Sequence, residues 1–248
     1  DVYISLSINI YRNHMQENKL SVIVPTYNER ENIGELIERI EALLKGVDFE
    51  IVVVDDNSPD GTAEVAEKLD EVYGNVKVLK RPGKLGLASA IIDGMNVANG
   101  DIIAVMDADL QHPPEILPKL LKKIMEGYDI AIASRYVEGG GIEGWSFWRK
   151  FVSRGAIFLA HLLLPETRSV KDVTSGYFVF RRDVLNGVKL ELIGYKLLLE
   201  MLVKGRYHSV AVVPYVFRPR TKGRSKLGLK EMIRYVILLI KLKMRSWT

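Results

Sequence analysis

The chain contains no cysteine. That excludes a disulfide framework, a thiolate metal site and a cysteine nucleophile, and it is compatible with a reducing compartment. No run reaches the 18 or so uninterrupted apolar residues of a membrane span. There is no internal repeat and no low-complexity tract. Both glycine fingerprints for phosphates are missing. The first apolar run leads into Pro25-Thr26-Tyr27-Asn28-Glu29 rather than Gly-x-Gly-x-x-Gly, and Gly-x-x-x-x-Gly-Lys-Ser/Thr is absent. Dinucleotide-dependent dehydrogenation and P-loop chemistry therefore lose support. A large charge surplus is also missing: 35 basic against 31 acidic residues leave a net +4, with the basic clusters gathered in the last third. What is present is globular. The 248 residues are 48% hydrophobic and 27% charged, enough to bury one large core or two small ones.

Residues 1–18 match nothing downstream. Residues 2–8 alternate weakly, and Met15 stands just ahead of the first strong strand; the piece reads as an upstream extension or leader, or alternatively as an edge strand, and carries no function. From there the periodicity switches repeatedly between strand and helix. Strands are expected at 20–25, 50–56, 76–79, 102–106, 129–134, 175–180 and 210–213. Helices are expected at 31–44, 62–73, from 87 with Ile91 and Met95 inward, at 113–127, 147–164, 182–186, 195–204 and 229–245. The repeated βα pattern predicts an α/β fold with a largely parallel, doubly wound sheet flanked by helices. Gly139-Gly140-Gly141 reads as a flexible loop. Residues 147–164, rich in Phe and Leu, read as a core helix rather than one facing lipid. Residues 217–228 read as a basic loop.

The most informative stretch is 102–114, where an apolar run climbs into Asp107-Ala108-Asp109-Leu110-Gln111-His112-Pro113. In extended chain the two carboxylates at i and i+2 point to one side. Two like charges aimed at one point repel unless a cation sits between them. The occupant that fits is Mg²⁺ or Mn²⁺, which takes one or two carboxylates and completes its shell with phosphate oxygens and water. The plainer alternative is a strand followed by a polar turn. Other polar turns follow strands in the same half: Tyr27-Asn28-Glu29, Asp55-Asp56 and Arg135. In a parallel sheet these turns share one rim, where ligands of open α/β sheets bind. Asp56 and Glu29 are candidate acceptors for ribose hydroxyls or a base edge; for Asp56 the alternative is a helix cap. Lys84, at the opening of a helix, is a candidate phosphate contact, or else a solvated surface lysine.

These residues carry a resemblance. Residues 22–29 (Val-Ile-Val-Pro-Thr-Tyr-Asn-Glu), 53–62 (Val-Val-Asp-Asp-Asn-Ser-Pro-Asp-Gly-Thr) and 107–113 are similar, in motif and spacing, to the family 2 inverting glycosyltransferases of GT-A fold. Ser134-Arg135-Tyr136, Gly139-Gly140-Gly141, Trp145, Arg149, Ser153-Arg154, Thr174-Ser175-Gly176-Tyr177 and Arg220-x-x-Gly223-x-Ser225-Lys226-Leu227-Gly228 resemble its polyprenyl-phosphate branch, the dolichol-phosphate mannose synthases above all. The likeness spans about residues 20–235. It implies that Pro25, Tyr27, Glu29, Val54 and Asp56 hold base and ribose, with Lys84 near the nucleotide pocket. It implies that Asp107, Asp109 and Gln111 hold the divalent metal and through it the diphosphate, with Ala108 beside them. It implies that Arg135 sits near the donor sugar or diphosphate, and that Arg149, Ser153, Arg220 and Lys226 gather acceptor and donor phosphates.

The expected reaction is metal-dependent, inverting transfer of mannose from GDP-mannose to a dolichyl or other polyprenyl phosphate at a membrane surface. Such a phosphate is largely ionised at pH 7 and needs no strong general base, unlike a sugar hydroxyl. Relatives that accept on a hydroxyl carry a Glu-Asp type base, whereas residues 172–177 here read Asp-Val-Thr-Ser-Gly-Tyr; Asp172 leaves the point open. Three alternatives stand beside this reading: transfer from UDP-glucose, a non-catalytic nucleotide-sugar-binding membrane adaptor, and a polysaccharide synthase module. Nucleic acid is not an expected partner, because no recognition module accompanies the basic loop. Domain organisation is expected as a leader at 1–18, a catalytic domain at 19–228 and an amphipathic membrane-interface helix at 229–248, with Trp247 at interfacial depth. The expected location is the cytoplasmic face of a membrane, with a membrane-anchoring subunit or a C-terminal transmembrane segment missing from this chain.

Overall fold

The computed structural model describes residues 18–190, 196–219 and 229–245. Residues 1–17, the contacts expected of Arg220 and Lys226, and Trp247 lie outside the described residues. Strand β1 (Leu20–Thr26) pairs in parallel with β2 (Phe49–Asp55), and β2 with β3 (Val76–Lys80). On its other side β1 pairs in parallel with β4 (Ile102–Val105). The parallel pair β5 (Ile130–Ser134) and β8 (Val210–Pro214) completes the sheet. Between β4 and β5 lies β7 (Phe178–Arg181), antiparallel to both. Among the described residues the order is β3-β2-β1-β4-β7-β5-β8. The sheet is therefore largely parallel, as expected, with one reversed strand that the periodicity did not reveal.

Strand alternation sorts the core into two layers. Val22, Val24, Ile51, Val53 and Ala104 face one way, against α1 (Arg30–Leu43), α2 (Thr62–Tyr73) and α4 (Leu117–Met125). Ile23, Val52, Val54, Ile103 and Val105 face the other way, against α3 (Leu87–Val97), α5 (Phe147–Leu163), α6 (Leu197–Lys204) and α7 (Leu229–Arg245). Because both faces are covered, the strands are continuous apolar runs rather than alternating ones.

Three expectations are corrected. The Gly139–141 loop is built, not slack: Gly141 and Ile142 form β6 and pair with β9 (Val216–Phe217). Gly140 is required by crowding, since a Cβ there would lie 2.7 Å from the Ser134 carbonyl oxygen. Secondly, α5 is not a core helix. It buries Ile157 and Ala160 but exposes Phe147, Trp148, Phe151, Val152, Phe158 and Leu162. Thirdly, β4 ends at Val105, so Asp107 and Asp109 lie in a turn and strand pleat does not set their direction. The last helix carries apolar residues on two faces. Tyr235, Leu238, Leu239 and Leu242 are buried in the core, while Met232, Ile233, Val236, Ile237, Ile240 and Met244 are exposed.

Candidate active site

The carboxyl ends of β1 and β2 lie level, with Thr26 opposite Asp55, and β4 ends beside them at Val105, opposite Ile23, so that the chain after it runs on along the end of β1. The turns beyond them form one rim. Asp55 is the brace of this rim: it accepts from Thr26 Oγ1 at 2.8 Å and from Ser58 Oγ at 2.6 Å and N at 2.8 Å. Ser58 Oγ in turn accepts from Asn28 N at 2.9 Å, and Thr62 Oγ1 accepts from Glu29 N at 3.0 Å. Asn28 and Asn57 adopt left-handed backbone, at φ 57° and 58°, which Asn tolerates and which turns the chain sharply at both strand ends. Glu29 and Asp56 are thereby brought to neighbouring turns. Glu29 accepts from Asn32 Nδ2 at 2.8 Å. Asp56 accepts from an arginine absent from the expected set, Arg81, and from Gly86 N at 3.1 Å. Tyr27 is half-buried, with Lys84 Nζ 4.0 Å above its ring. Pro25 and Val54 are buried beneath the rim.

At the centre, the Asp107 side chain is 38% exposed whereas Asp109 is buried. Leu110, at φ 59°, closes the turn, and Gln111 N donates to Asp109 Oδ1 at 3.1 Å. Ala108 is buried between the two carboxylates, and Gln111 Nε2 donates to the Arg218 carbonyl at 3.0 Å. His112 is wholly inside, stacked on Tyr177 with ring centres 5.2 Å apart. Burial pushes its imidazole down to about 4, so it is neutral at pH 7. Its Nδ1 accepts the Asp107 backbone N–H at 3.1 Å. The 3.7 Å approach of Nδ1 to Asp107 Oδ2 is therefore not an ion pair; the ring fixes the backbone that carries the carboxylate.

The reversed strand supplies the far wall. Phe178 stands opposite both Val105 and Ile132, which carries residues 172–177 to the same rim. Gly176 packs so closely that a Cβ would lie 3.2 Å from His112 Cε1 and 3.7 Å from Asp107 Oδ2. Asp172, fully buried, binds Arg135 through both carboxylate oxygens at 2.8 Å. It also accepts from Arg135 N at 3.1 Å and from Thr174 Oγ1 at 3.2 Å. Burial alone would raise the Asp172 carboxyl, but the Arg135 hydrogen bonds and charge hold it low. Lys196, another residue missed from sequence, donates to the Thr174 carbonyl at 2.7 Å. Burial and the nearby Arg135 charge push its ammonium down to about 7, against the pull of Asp172 and Asp107.

Aromatic rings join the remaining candidates. The Arg135 guanidinium lies 5.7 Å and the Arg149 guanidinium 4.1 Å from the Trp145 ring centre. Tyr136 Oη donates to Ser153 Oγ at 2.8 Å. Arg135, Arg149 and Ser153 are thus brought together on Trp145 and Tyr136, two rings for which the sequence had indicated no task. Arg149 opens α5, whose Ser146 cap accepts from its backbone N–H at 3.3 Å.

The donor set fits a hard divalent cation. It offers carboxylate and amide oxygens, one carboxylate open to the rim, and guanidinium groups nearby for phosphate. Among the described residues no three acidic or histidine side chains are placed to hold a metal ion by themselves, and none is needed where substrate oxygens and water complete the shell.

Comparison with known proteins gives the family and the fold. The family model described as glycosyl transferase family 2 matches residues 21–188. The dolichol-phosphate mannosyltransferase of Pyrococcus furiosus is 52% identical over 218 residues, 88% of this chain; the chain spans only 62% of that relative's length. The dolichol-phosphate mannosyltransferase of Saccharomyces cerevisiae is 36% identical over 228 residues, covering 87% of this chain and 84% of the yeast protein. Among solved structures, glucosyl-3-phosphoglycerate synthase from Mycobacterium tuberculosis, in complex with Mn²⁺, UDP-glucose and phosphoglyceric acid, superposes with a TM-score of 0.68 at 22% identity, over 91% of this chain and 80% of that one. That likeness is one of fold. The chain belongs to glycosyl transferase family 2.

Proposed function

We propose that this chain transfers mannose from GDP-mannose to a dolichyl-type polyprenyl phosphate, with inversion, at the cytoplasmic face of a membrane. The names of the similar dolichol-phosphate mannosyltransferases support the donor and acceptor classes. The observation that carries the acceptor class is Asp172. The carboxylate that stood in question as a base for a hydroxyl acceptor is buried, held low and engaged on both oxygens by Arg135. A lipid phosphate, already ionised, needs no such base, but it needs cations to meet a second anion. Arg149 on Trp145 and Ser153 on Tyr136 are suited to orient it.

Asp107, Asp109 and Gln111 would hold a Mg²⁺ or Mn²⁺ ion, which when bound neutralises charge developing on the departing diphosphate. Tyr27, Glu29 and Asp56 would seat the nucleoside, with Lys84 above Tyr27. The neutral His112 ring and the close packing of Gly176 hold Asp107 in place. Arg220 and Lys226, expected from sequence to add to the cationic set, lie outside the described residues.

Membrane attachment is supported by two neighbouring helices. Tyr235 Oη of α7 donates to the Ala156 carbonyl of α5 at 2.8 Å, and both helices expose rows of large apolar side chains. Among the described residues no helix is long and apolar enough to cross a membrane. These helices would lie on the surface, together with any anchoring subunit or further segment.

The test is transfer of radiolabelled sugar from GDP-mannose and, in parallel, UDP-glucose to a short polyprenyl phosphate, with Mn²⁺ or with EDTA. Metal-dependent label in the lipid phase from GDP-mannose is the expected result. Label from UDP-glucose alone would replace the donor, and no label from either would overturn the proposal.

A further inference from the structure

Arg81 was not among the residues expected in the site, yet it is buried at the rim beside Asp56, on the side of the rim that also holds Tyr27. Its backbone N–H donates to the Asp55 carbonyl at 2.8 Å, extending the β2–β3 ladder by one bond. Its side chain then does four things at once. Nη1 donates to Asp56 Oδ1 and, at 3.2 Å, to the Gly86 carbonyl. Nη2 donates to Ser89 Oγ at 2.7 Å. Nε lies 3.1 Å from Asp93 Oδ2 on α3. The Gly86 N–H returns to Asp56 Oδ2 at 3.1 Å. One guanidinium therefore fixes the plane of the Asp56 carboxylate and both ends of the connection that carries Lys84 to the Tyr27 ring.

A carboxylate has about four acceptor positions. Arg81 and Gly86 N take one on each oxygen. The remaining directions are then set by the protein before a ligand arrives, which is the condition for tight, directional recognition of ribose hydroxyls or base N–H groups. A buried Arg–Asp pair kept only for stability is replaceable by apolar packing. Here the fork is tied instead to a rim carboxylate and to the loop that closes the same pocket.

We propose that Arg81 is a positioning residue for the nucleoside half of the donor: it orients Asp56 and the Lys84 loop, and so sets affinity for the nucleotide rather than the rate of sugar transfer. This rests on the reading of Asp56 as a nucleotide contact given under the proposed function. Lysine at this position keeps the charge but cannot make the fork.

The experiment measures binding of GDP, with Mg²⁺, to wild type, Arg81→Lys and the milder Ser89→Ala by calorimetry, together with donor KM and kcat. We expect Arg81→Lys to weaken GDP binding by about ten- to a hundredfold and to raise donor KM by a similar factor, with a much smaller change in kcat. Ser89→Ala, which removes one arm at a half-buried position, should weaken GDP binding a few-fold. Binding stoichiometry and thermal unfolding separate this from loss of folded protein, which lowers the number of sites without moving the Kd of those that remain. Wild-type GDP affinity in folded Arg81→Lys, or a loss confined to kcat, overturns the inference while leaving the proposed function standing. If wild type binds UDP and not GDP, the donor assignment fails and the same comparison made with UDP decides the role of Arg81. If wild type binds neither nucleotide, both proposals fall.

Discussion

Arg135 and Asp172 hold each other by a two-pronged contact, Nε to Oδ2 and Nη2 to Oδ1, each at 2.8 Å and both residues buried. Taking one partner from such a pair strands a charge out of water, at a cost of about 3–5 kcal/mol. Asp172→Asn keeps the shape and removes the charge, so its unfolding free energy in urea should fall by about 3 kcal/mol. Arg135→Lys retains the charge without the fork and should cost less. A wild-type urea midpoint for Asp172→Asn would show that the pair contributes no stability.

The metal hypothesis separates two carboxylates by their burial. Asp107 is part-exposed and Asp109 is buried, so Asp107→Ala is the cleaner variant. Loss of a Lewis acid at a departing diphosphate removes several kcal/mol of transition-state stabilisation. Turnover should therefore fall about a thousandfold, in Asp107→Ala and in EDTA-treated wild type alike. Melting temperature of the variant should remain within a few degrees of wild type. Unchanged Mn²⁺ binding by electron paramagnetic resonance in Asp107→Ala would remove this residue from the site.

His112 makes folding sensitive to mild acid. Burial holds its ring at about 4 in the folded protein, against an ordinary 6.5. Between those values the unfolded chain takes up a proton that the folded chain refuses, so stability is present above pH 6.5 and is lost as pH falls toward 4. The loss at full protonation is roughly 3 kcal/mol at most. His112→Phe keeps a ring against Tyr177 and cannot titrate. Comparing urea unfolding at pH 7 and pH 4.5, the variant should lose less stability than wild type between the two. An equal loss would move the acid sensitivity to other groups.

What was legible in the sequence follows from how local each feature is. Strands such as 51–54 and 102–105 are continuous apolar runs because both sheet faces are covered, and that covering is written residue by residue. The turns at Tyr27–Glu29 and Asp55–Asp56 were legible because they follow those strands directly. The Asp172–Arg135 pair was not: the partners are 37 residues apart, and β7 must run backwards between β4 and β5 to bring them together. Arg81 reads as one more basic residue until its four partners are assembled. The exposure of α5 was misread because an apolar helix has the same composition whether its rings meet core or membrane. Only the packing of the neighbouring layer distinguishes them.

That exposed face gives the last prediction. Phe147, Trp148 and Phe151 touch one another, with ring centres 6.0–6.5 Å apart, at the start of α5. All three are largely exposed, so replacing them leaves the core intact. A large apolar side chain fully removed from water contributes roughly 1.5–3 kcal/mol. If each ring inserts only partly into an interface, at about 1 kcal/mol apiece, the three together account for about a hundredfold in vesicle partitioning. Phe147→Ser, Trp148→Ser and Phe151→Ser combined should therefore release the protein from phosphatidylcholine vesicles in a sedimentation assay. GDP affinity and far-ultraviolet circular dichroism should stay at wild-type values. The exposed Arg234 and Lys241 of α7 should add binding on anionic vesicles that fades with salt. Undiminished partitioning of the triple variant into neutral vesicles would shift attachment from α5 to the outward row of α7, which Ile233→Ser and Ile237→Ser then address by the same assay.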